Sequence, residues 1–183
     1  MEEWSSIRNK EGYGFLISKL KRKMPVIKLK LGEDSIIQAI KEIKAYKEKV
    51  VRLSTELVET LTKRGVEIAK MNVSDMKAYD SGELYDSIHS IVKGNIGYVI
   101  ADAPHAAFVC FGTGIVGANT PHPDVAIAGW KYDVNNHGEL GWWYIGKDGQ
   151  PHWTKGMPSR PYMYQAAQSL RQVVVPAAKE ILK

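Results

Sequence analysis

Cysteine and long apolar runs are nearly missing from this sequence. Its single cysteine, Cys110, excludes an internal disulfide and any metal site made of clustered cysteines. No apolar run approaches the roughly 20 residues that cross a bilayer. The first residues, Met1-Glu2-Glu3-Trp4, are acidic where a secretion signal needs a positive start and an apolar run. We therefore expect a chain made in the cytoplasm, without a membrane partner, and with Cys110 buried as a small apolar side chain.

Signatures of common active sites are also missing. The sequence contains neither the His-Glu-x-x-His nor the Gly-x-Ser-x-Gly pattern. Four histidines lie far apart in the second half, whereas zinc-binding pairs usually stand about three to five residues apart. These are His105, His122, His137 and His152. Asp124, Asp133 and Glu139 are predicted to be solvated loop carboxylates. We expect no catalytic residue, metal or cofactor, and hence no enzyme; a metal-dependent hydrolase is the less favoured alternative.

A glycine pattern raises the question of a dinucleotide site. Residues from Gly112 through Gly114 to Gly117 have the G-x-G-x-x-G spacing. Pro121 and Pro123 prevent a long helix from following, and no βαβ unit surrounds the motif. The pattern therefore favours a loop after a buried element, with Gly112 and Gly114 needed for backbone shape.

Positive charge is concentrated in the first half of the chain. Residues 1–70 contain 16 Lys or Arg and 10 Asp or Glu, whereas residues 71–183 contain 9 and 10. Residues 1–25 are predicted to be a basic N-terminal arm within a single domain of residues 1–183. A solvated face is the favoured interpretation, and non-specific nucleic-acid binding stays as the alternative function.

One long amphipathic helix is predicted from Ser35 to about Met71. Ser35 as N-cap and Gln38 three residues later match a capping box. Apolar residues recur every three or four positions as far as Leu61, so they share one face. They are Ile36, Ile40, Ile43, Tyr46, Val50, Leu53, Leu57, Leu61 and Ile68. Gly65 predicts a bend or a split. A helix of roughly 50 Å outreaches the core of such a domain, so it either bends or packs against a neighbouring subunit.

Alternating and turn-rich segments predict strands. Residues 26–31 alternate as a half-buried or edge strand, and residues 84–92 and 98–101 indicate a hairpin. Residues 106–111 form a short apolar helix or strand, which periodicity cannot decide. The insert of residues 115–158 is predicted to contain a meander of residues 130–134, 139–145 and 151–154. Pro161 suits a helix start, and Pro176 predicts that this helix is kinked or divided.

Tryptophan is concentrated in the insert. Trp142 and Trp143 are neighbours on a predicted strand, so they point to opposite faces, and both can be buried only if both faces are covered. Trp130, Trp142, Trp143 and Trp153 are therefore candidates for an interface. A local core beneath the meander explains the same residues, and the sequence favours neither interpretation.

Three short segments, in this order and spacing, resemble the HK97 gp10-like family of tailed-phage proteins. The first is the turn and strand around Gly82 and Leu84, in Ser81-Gly82-Glu83-Leu84-Tyr85-Asp86-Ser87-Ile88. The second is Phe108-Val109-Cys110-Phe111-Gly112-Thr113, followed by Gly114. The third is the helix start Arg160-Pro161-Tyr162-Met163. Cys110 stands where the family usually has a glutamate, the insert is long, and residues 1–25 have no counterpart.

The resemblance implies an α+β fold and a structural role. In that fold a long N-terminal helix and a C-terminal helix pack on an antiparallel sheet. The implied function is tail completion or head–tail joining in the neck of a phage or prophage virion. The implied partners are other copies in a ring of about six subunits and adjacent neck or tail proteins. Arg160 is expected to be structural, with its guanidinium bound to a carboxylate or to backbone carbonyls of the sheet or of a neighbouring subunit.

Overall fold

The computed structural model describes residues 32–78, 80–124, 129–133 and 140–181. Its elements are α1 (Glu33–Asp75), α2 (Glu83–Ser87), β1 (Ile88–Lys93), β2 (Ile96–Ala101), α3 (Ala106–Phe111), α4 (Gly114–Asn119), β3 (Trp142–Ile145), β4 (Pro151–Thr154) and α5 (Tyr162–Ile181). The fold is α+β, as predicted, with two antiparallel two-stranded sheets, β1–β2 and β3–β4. None of the described helices is both long and apolar enough to cross a bilayer.

The chain forms two compact units. The first comprises residues 1–61, 92–97 and 172–183, and the second comprises residues 62–91 and 98–171. The predicted arm of residues 1–25 and the predicted strand of residues 26–31 lie outside the described residues.

Helix α1 begins earlier than its predicted cap. Ile36 N–H donates to the Gly32 carbonyl at 3.1 Å, so Gly32 is the N-cap residue and Ser35 lies inside the first turn. The side chain of Gln38 donates to Glu42 at 3.1 Å. The predicted capping box of Ser35 and Gln38 is therefore wrong. Acidic Glu33 and Asp34 in the first turn favour the helix start through the helix dipole.

Helix α1 continues through Gly65 without a break. A Cβ added at Gly65 would stand 2.8 Å from Cγ2 of Val99 and 2.9 Å from Cδ1 of Leu170. The glycine therefore serves close packing within the second unit, and the predicted split there is not observed. A glycine that weakens an isolated helix is retained because β2 and α5 approach the helix at this point.

Helix α1 ends in a Schellman motif. Lys77 has a left-handed φ of 52°, Lys77 N–H donates to Ser74 O at 3.0 Å, and Ala78 N–H donates to Val73 O at 2.9 Å. These bonds satisfy carbonyls that the last turn would leave unpaired. The end of α1 is thereby fixed several residues beyond the predicted end at Met71.

The core of the second unit is formed by the end of α1, by α2, by the start of β1, by α3 with the residue Ala103 before it, and by the start of α5. Its buried residues are Ala69, Val73, Leu84, Ile88, Ala103, Ala106, Val109, Cys110, Tyr162 and Ala166. The predicted first strand began at Leu84, but residues 83–87 are helix α2 and the strand begins at Ile88. Leu84 is 3% exposed. A single helical turn lets Leu84 reach the core before the chain becomes extended.

The structure decides three further elements. Residues 106–111 are a helix, and the segment expected to be a loop continues as the short helix α4. Residues 130–133 are not a strand, so the predicted first strand of the meander is wrong in its described part, and only β3 and β4 pair. Helix α5 contains Pro176 without being divided.

Candidate interaction site

Two segments that are distant in the sequence pair within the second unit. Thr113 and Met157 form an isolated antiparallel bridge. Thr113 N–H donates to the Met157 carbonyl at 2.9 Å, and Met157 N–H donates to the Thr113 carbonyl at 3.1 Å. Oγ1 of Thr113 also accepts from Met157 N–H at 3.1 Å. The bridge brings the glycines after α3 next to the segment that leads into Arg160.

Glycine is required where these two segments cross. Gly114 has a φ of 60°, and an added Cβ would stand 2.4 Å from the Lys155 carbonyl oxygen. Gly156 has a φ of 101°, and an added Cβ would overlap the Thr113 carbonyl oxygen at 1.9 Å. Both positions therefore combine a left-handed backbone with direct backbone contact. Both glycines allow two backbones to approach closely, and the positive φ of Gly114 agrees with the prediction that this glycine is needed for backbone shape.

The start of α4 is already hydrogen-bonded. Gly114 N–H donates to Tyr132 O at 2.8 Å, and Val116 N–H donates to Lys155 O at 3.3 Å. In a dinucleotide site such amides would point at a phosphate. Because these two amides bind backbone carbonyls of neighbouring loops, they do not form a phosphate cradle.

Arg160 caps the C-terminus of α1. Its Nε–H donates to the Met76 carbonyl at 3.2 Å, directly after the last helical turn. Its backbone N–H donates to Val109 O at 3.0 Å. A guanidinium at this end of a helix satisfies a carbonyl and interacts favourably with the helix dipole. The Arg160 contact is therefore with a backbone carbonyl, but this carbonyl follows helix α1, whereas the sequence predicts one in the sheet or in a neighbouring subunit.

The start of α5 is bound to the same two helices. Asn72 Nδ2 donates to the Tyr162 carbonyl at 3.0 Å, and the Tyr162 hydroxyl donates to Ala106 O at 3.3 Å. Pro161 lies directly before α5, and its carbonyl accepts from Gln165 N–H at 3.0 Å. The third motif thus fastens α5 to α1 and α3.

Burial raises the pKa of two acidic side chains in this region. Desolvation raises the pKa of the Cys110 thiol from 9.0 to about 11. Desolvation also raises the pKa of Tyr162 above its ordinary value of 10.0. Cys110 is 7% exposed, so it is buried as predicted, and its protonated thiol is a poor nucleophile at neutral pH.

Trp130 belongs to an aromatic cluster inside the second unit. Its Nε1–H donates to the Gly112 carbonyl at 2.9 Å. Its ring stacks on Phe111 with centroids 5.2 Å apart and meets Phe108 edge-on at 5.6 Å. His122, 5% exposed, lies 4.4 Å from Phe111, and desolvation lowers its pKa. Trp130 is therefore held mainly by its own unit, which favours the local-core interpretation at this position.

The β3–β4 hairpin has one exposed apolar face. The register pairs Trp143 with Trp153 and Ile145 with Pro151, so these four side chains share a face. Trp143 is 65% exposed, Ile145 70% and Trp153 47%, and the two indole rings meet edge-on at 5.4 Å. Trp142 points to the other face and packs toward Gly114. We call Trp143, Ile145, Pro151 and Trp153 the hairpin face.

An open cavity of about 440 Å³ lies beside Arg160, and charged side chains from several elements line it. Lys147 Nζ contacts Asp80 Oδ2 at 2.5 Å, and His105 Nδ1 lies 3.9 Å from Glu83 Oε2. The hydrogen bond and charge of Lys147 lower the pKa of Asp80. Lys147 and Asp80 therefore form an ion pair between the β3–β4 turn and the segment before α2, and His105 lies beside Glu83 of α2.

The predicted ionisable residues do not meet. His152 contacts Asp148 at 3.0 Å, and the ring of His122 accepts from Asp124 N–H at 3.0 Å. His137 and Glu139 lie outside the described residues. Among the described residues, no three His, Cys, Asp or Glu side chains are grouped as a metal site would require.

The charge excess of the first half also lies outside the described residues. Residues 32–70 contain 8 Lys or Arg and 7 Asp or Glu, so the described part of α1 is nearly neutral. The positive charge on which the nucleic-acid alternative depends therefore does not come from the described part of α1.

Sequence reasoning missed Ile145 and Pro151 as members of the hairpin face. Their positions two residues from Trp143 and Trp153 could have identified them once the strands were aligned. It also missed Asn72, Lys147 and Met76, because their partners are distant in sequence and no local pattern marks them.

Comparisons with protein-family models, with curated proteins and with solved structures found no match. The class defined by the structure is an α+β protein with a long N-terminal helix. The resemblance to the gp10-like family stays a prediction from the three sequence segments.

Proposed function

We propose that this protein is a structural subunit of a tailed-phage or prophage neck, acting in tail completion or head–tail joining. Several copies, about six, form a closed ring through heterologous contacts and bind adjacent neck or tail proteins. The chain works in the virion after assembly in the host cytoplasm. It has no catalytic step of its own.

The observation that carries this proposal is the hairpin face. It places two exposed tryptophans and an exposed isoleucine on one side of a two-stranded sheet. Large aromatic side chains at the centre of a patch are the residues that dominate protein–protein binding energies. A lone two-stranded hairpin is only marginally stable, so a partner that covers the face also stabilises it. A protein-binding hairpin suits a ring subunit.

The three resembling segments have structural roles, which supports the same proposal. Gly82 precedes α2 with a φ of 87°, Gly114 allows a backbone crossing, and Arg160 caps α1. Each of these residues therefore contributes to fixing the fold. We base the proposed interface on Trp143 and Trp153 of the four candidate tryptophans, because Trp130 and Trp142 contact neighbours within the second unit.

The test is assembly with variants of the hairpin face. Trp143→Ser and Trp153→Ser are introduced singly into the gene in the phage or prophage that encodes the chain. Tyr144→Ser is the matched control, since Tyr144 lies on the same strand and opposite face and is 49% exposed. Circular dichroism checks that each variant folds. Electron microscopy then counts tails joined to heads.

We expect both tryptophan variants to reduce joined particles by about tenfold or more, as loss of an interface residue worth over 1.4 kcal/mol would. Tyr144→Ser should join heads and tails normally. Normal joining with both tryptophan variants would remove the hairpin face from the interface. If the protein is missing from purified particles and assembly intermediates, the function itself is wrong.

A further inference from the structure

Strand β3 has one side without a strand neighbour. Among the described strands it pairs only with β4, in a two-stranded sheet. The side chains along it are exposed: Trp143 65%, Tyr144 49% and Ile145 70%. The outer side of such a strand presents backbone N–H and carbonyl groups that can pair with another chain. We call the side of β3 that faces away from β4 the free edge of β3.

The turn between the strands fixes the hydrogen-bond pattern of the ladder. Gly146 N–H donates to the Gln150 carbonyl at 2.8 Å, so these two residues form a hydrogen-bonded pair. Hydrogen-bonded and non-hydrogen-bonded pairs alternate along an antiparallel ladder. The next hydrogen-bonded pair is therefore Tyr144 with His152, which the register places opposite each other.

The two pairs of the hairpin face are then the non-hydrogen-bonded ones. They are Ile145 with Pro151 and Trp143 with Trp153. Pro151 agrees with this pattern, because proline has no N–H to give to the ladder. The backbone N–H and carbonyl groups of Trp143 and Ile145 therefore point away from β4, at the free edge. No other described residue forms a hydrogen bond with these groups.

The outer edges of the two strands differ in protection. Exposed edges in natural proteins commonly carry proline or charged residues, which discourage pairing with another chain. Strand β4 has Pro151 at its outer edge, where the missing N–H interrupts any added ladder. Residues 141–146, which include β3, contain neither proline nor a charged residue. The free edge of β3 is thus the one that accepts a further strand.

We propose that the free edge of β3 binds an extended segment of an adjacent neck or tail protein as a third strand. This inference rests on the proposed function and names the kind of partner segment. Trp143 and Ile145 each offer one N–H and one carbonyl to the added strand, and such backbone bonds supply affinity. The partner residues opposite them place their side chains beside the hairpin face. The segment therefore carries apolar residues at alternate positions.

A second copy of this chain fits the free edge less well. Its β4 presents Pro151, which lacks the N–H that an added strand must donate. Its β3 could pair only with the same edge of the first copy, which relates the two copies by a two-fold axis. Neighbours in a closed ring of one protein contact each other through different surfaces. The partner segment is therefore assigned to a different protein.

Binding to purified particles tests the proposal. Heads and tails are prepared from the phage or prophage with this gene deleted and are mixed with the purified full-length chain. Ile145→Pro removes the outward N–H and leaves the ladder bonds to β4. Ile145→Ala is the matched control, since it loses more of the side chain but keeps the N–H. Circular dichroism checks folding, and sedimentation measures binding to heads or tails and self-association.

We expect Ile145→Pro to bind at least about tenfold more weakly than Ile145→Ala, because its ring removes a donor and obstructs an added strand. Equal binding by the two folded variants would overturn the inference and leave the proposed function standing. A parent protein that binds neither heads nor tails would overturn both. If Ile145→Pro abolishes self-association but not particle binding, the free edge belongs to a second copy and the inference is wrong.

Hydrogen exchange of the parent protein decides the matter if Ile145→Pro does not fold. With fragmentation that resolves single amides, the Trp143 and Ile145 amides should exchange at least about tenfold more slowly in the particle-bound chain than in the free chain. The Trp153 amide, at the outer edge of β4, is the internal control and should slow much less. Unchanged exchange at Trp143 and Ile145 in the bound chain would contradict the added strand.

Discussion

At the residue scale, glycine and arginine positions show how short motifs fix long-range contacts. Gly114 lies where α4 begins and where the chain before Arg160 crosses it. The sequence pattern resembled a nucleotide-binding loop, yet the amides at this point bind backbone carbonyls. The same glycine spacing can therefore belong to a phosphate-binding loop or to a close crossing of two backbones, and the neighbouring backbone distinguishes the two.

Gly114→Ala should destabilise the protein by more than about 2 kcal/mol, because strain at positive φ adds to a backbone overlap. Gly149→Ala is the control: Gly149 has a φ of 74°, but an added Cβ there meets nothing within 4 Å. The control should lose only about 1 kcal/mol. Urea unfolding of both variants measures the difference. Equal losses would show that the crossing does not exclude a Cβ.

Arg160→Lys should cost about 1–2 kcal/mol, since a lysine does not reproduce the oriented Nε–H bond to the Met76 carbonyl. Arg171→Lys is the matched control, because Arg171 is exposed on α5 and its guanidinium contacts the nearby Gln168 at 3.2 Å. That substitution should change stability by less than about 0.5 kcal/mol. Thermal unfolding compares the two, and a fully stable Arg160→Lys protein would contradict the capping role.

At the element scale, α1 follows its apolar periodicity but not its predicted ends. Periodicity indicated a long helix because repeated apolar positions need one common face. The cap, however, is Gly32, and the helix ends at Asp75. End positions depend on bonds such as Arg160 to Met76, whose partners lie far along the chain.

Gly65→Ala should fail to stabilise α1, although replacing glycine inside a helix normally gains about 1 kcal/mol. The new methyl group would press on Val99 and Leu170. The Val99→Ala change should be less damaging in the Gly65→Ala background than in the parent, because it removes one of these contacts. A double-mutant cycle from urea unfolding measures this coupling. A full 1 kcal/mol gain from Gly65→Ala alone, with no coupling, would contradict tight packing here.

At the scale of the whole molecule, burial of Cys110 and Tyr162 predicts alkaline instability. Their folded-state pKa values are raised, so each acid contributes stability below its unfolded pKa and loses it as pH rises. For Cys110 this stability is lost between pH 9.0 and about pH 11, the unfolded and folded pKa values of the thiol.

The free energy of unfolding, measured in urea, should therefore fall across this pH range, by on the order of 1–2 kcal/mol from the thiol. Cys110→Ala should show a shallower fall because it lacks the thiol, and Tyr162 should dominate at higher pH. Identical pH profiles for the parent and Cys110→Ala would show that the thiol does not couple to folding.

The sequence by itself determined the long amphipathic helix, the C-terminal helix and the burial of Cys110, because each follows from the local pattern of apolar residues. The α+β class was expected from the resemblance of three short segments to a known family. Tertiary structure decided that residues 106–111 are a helix, that Gly65 is a packing position, and that Arg160 caps α1. It also separated Trp143 and Trp153, which are exposed, from Trp130 and Trp142, which pack inward. Such outcomes depend on partners tens of residues away, whose distances no local pattern records.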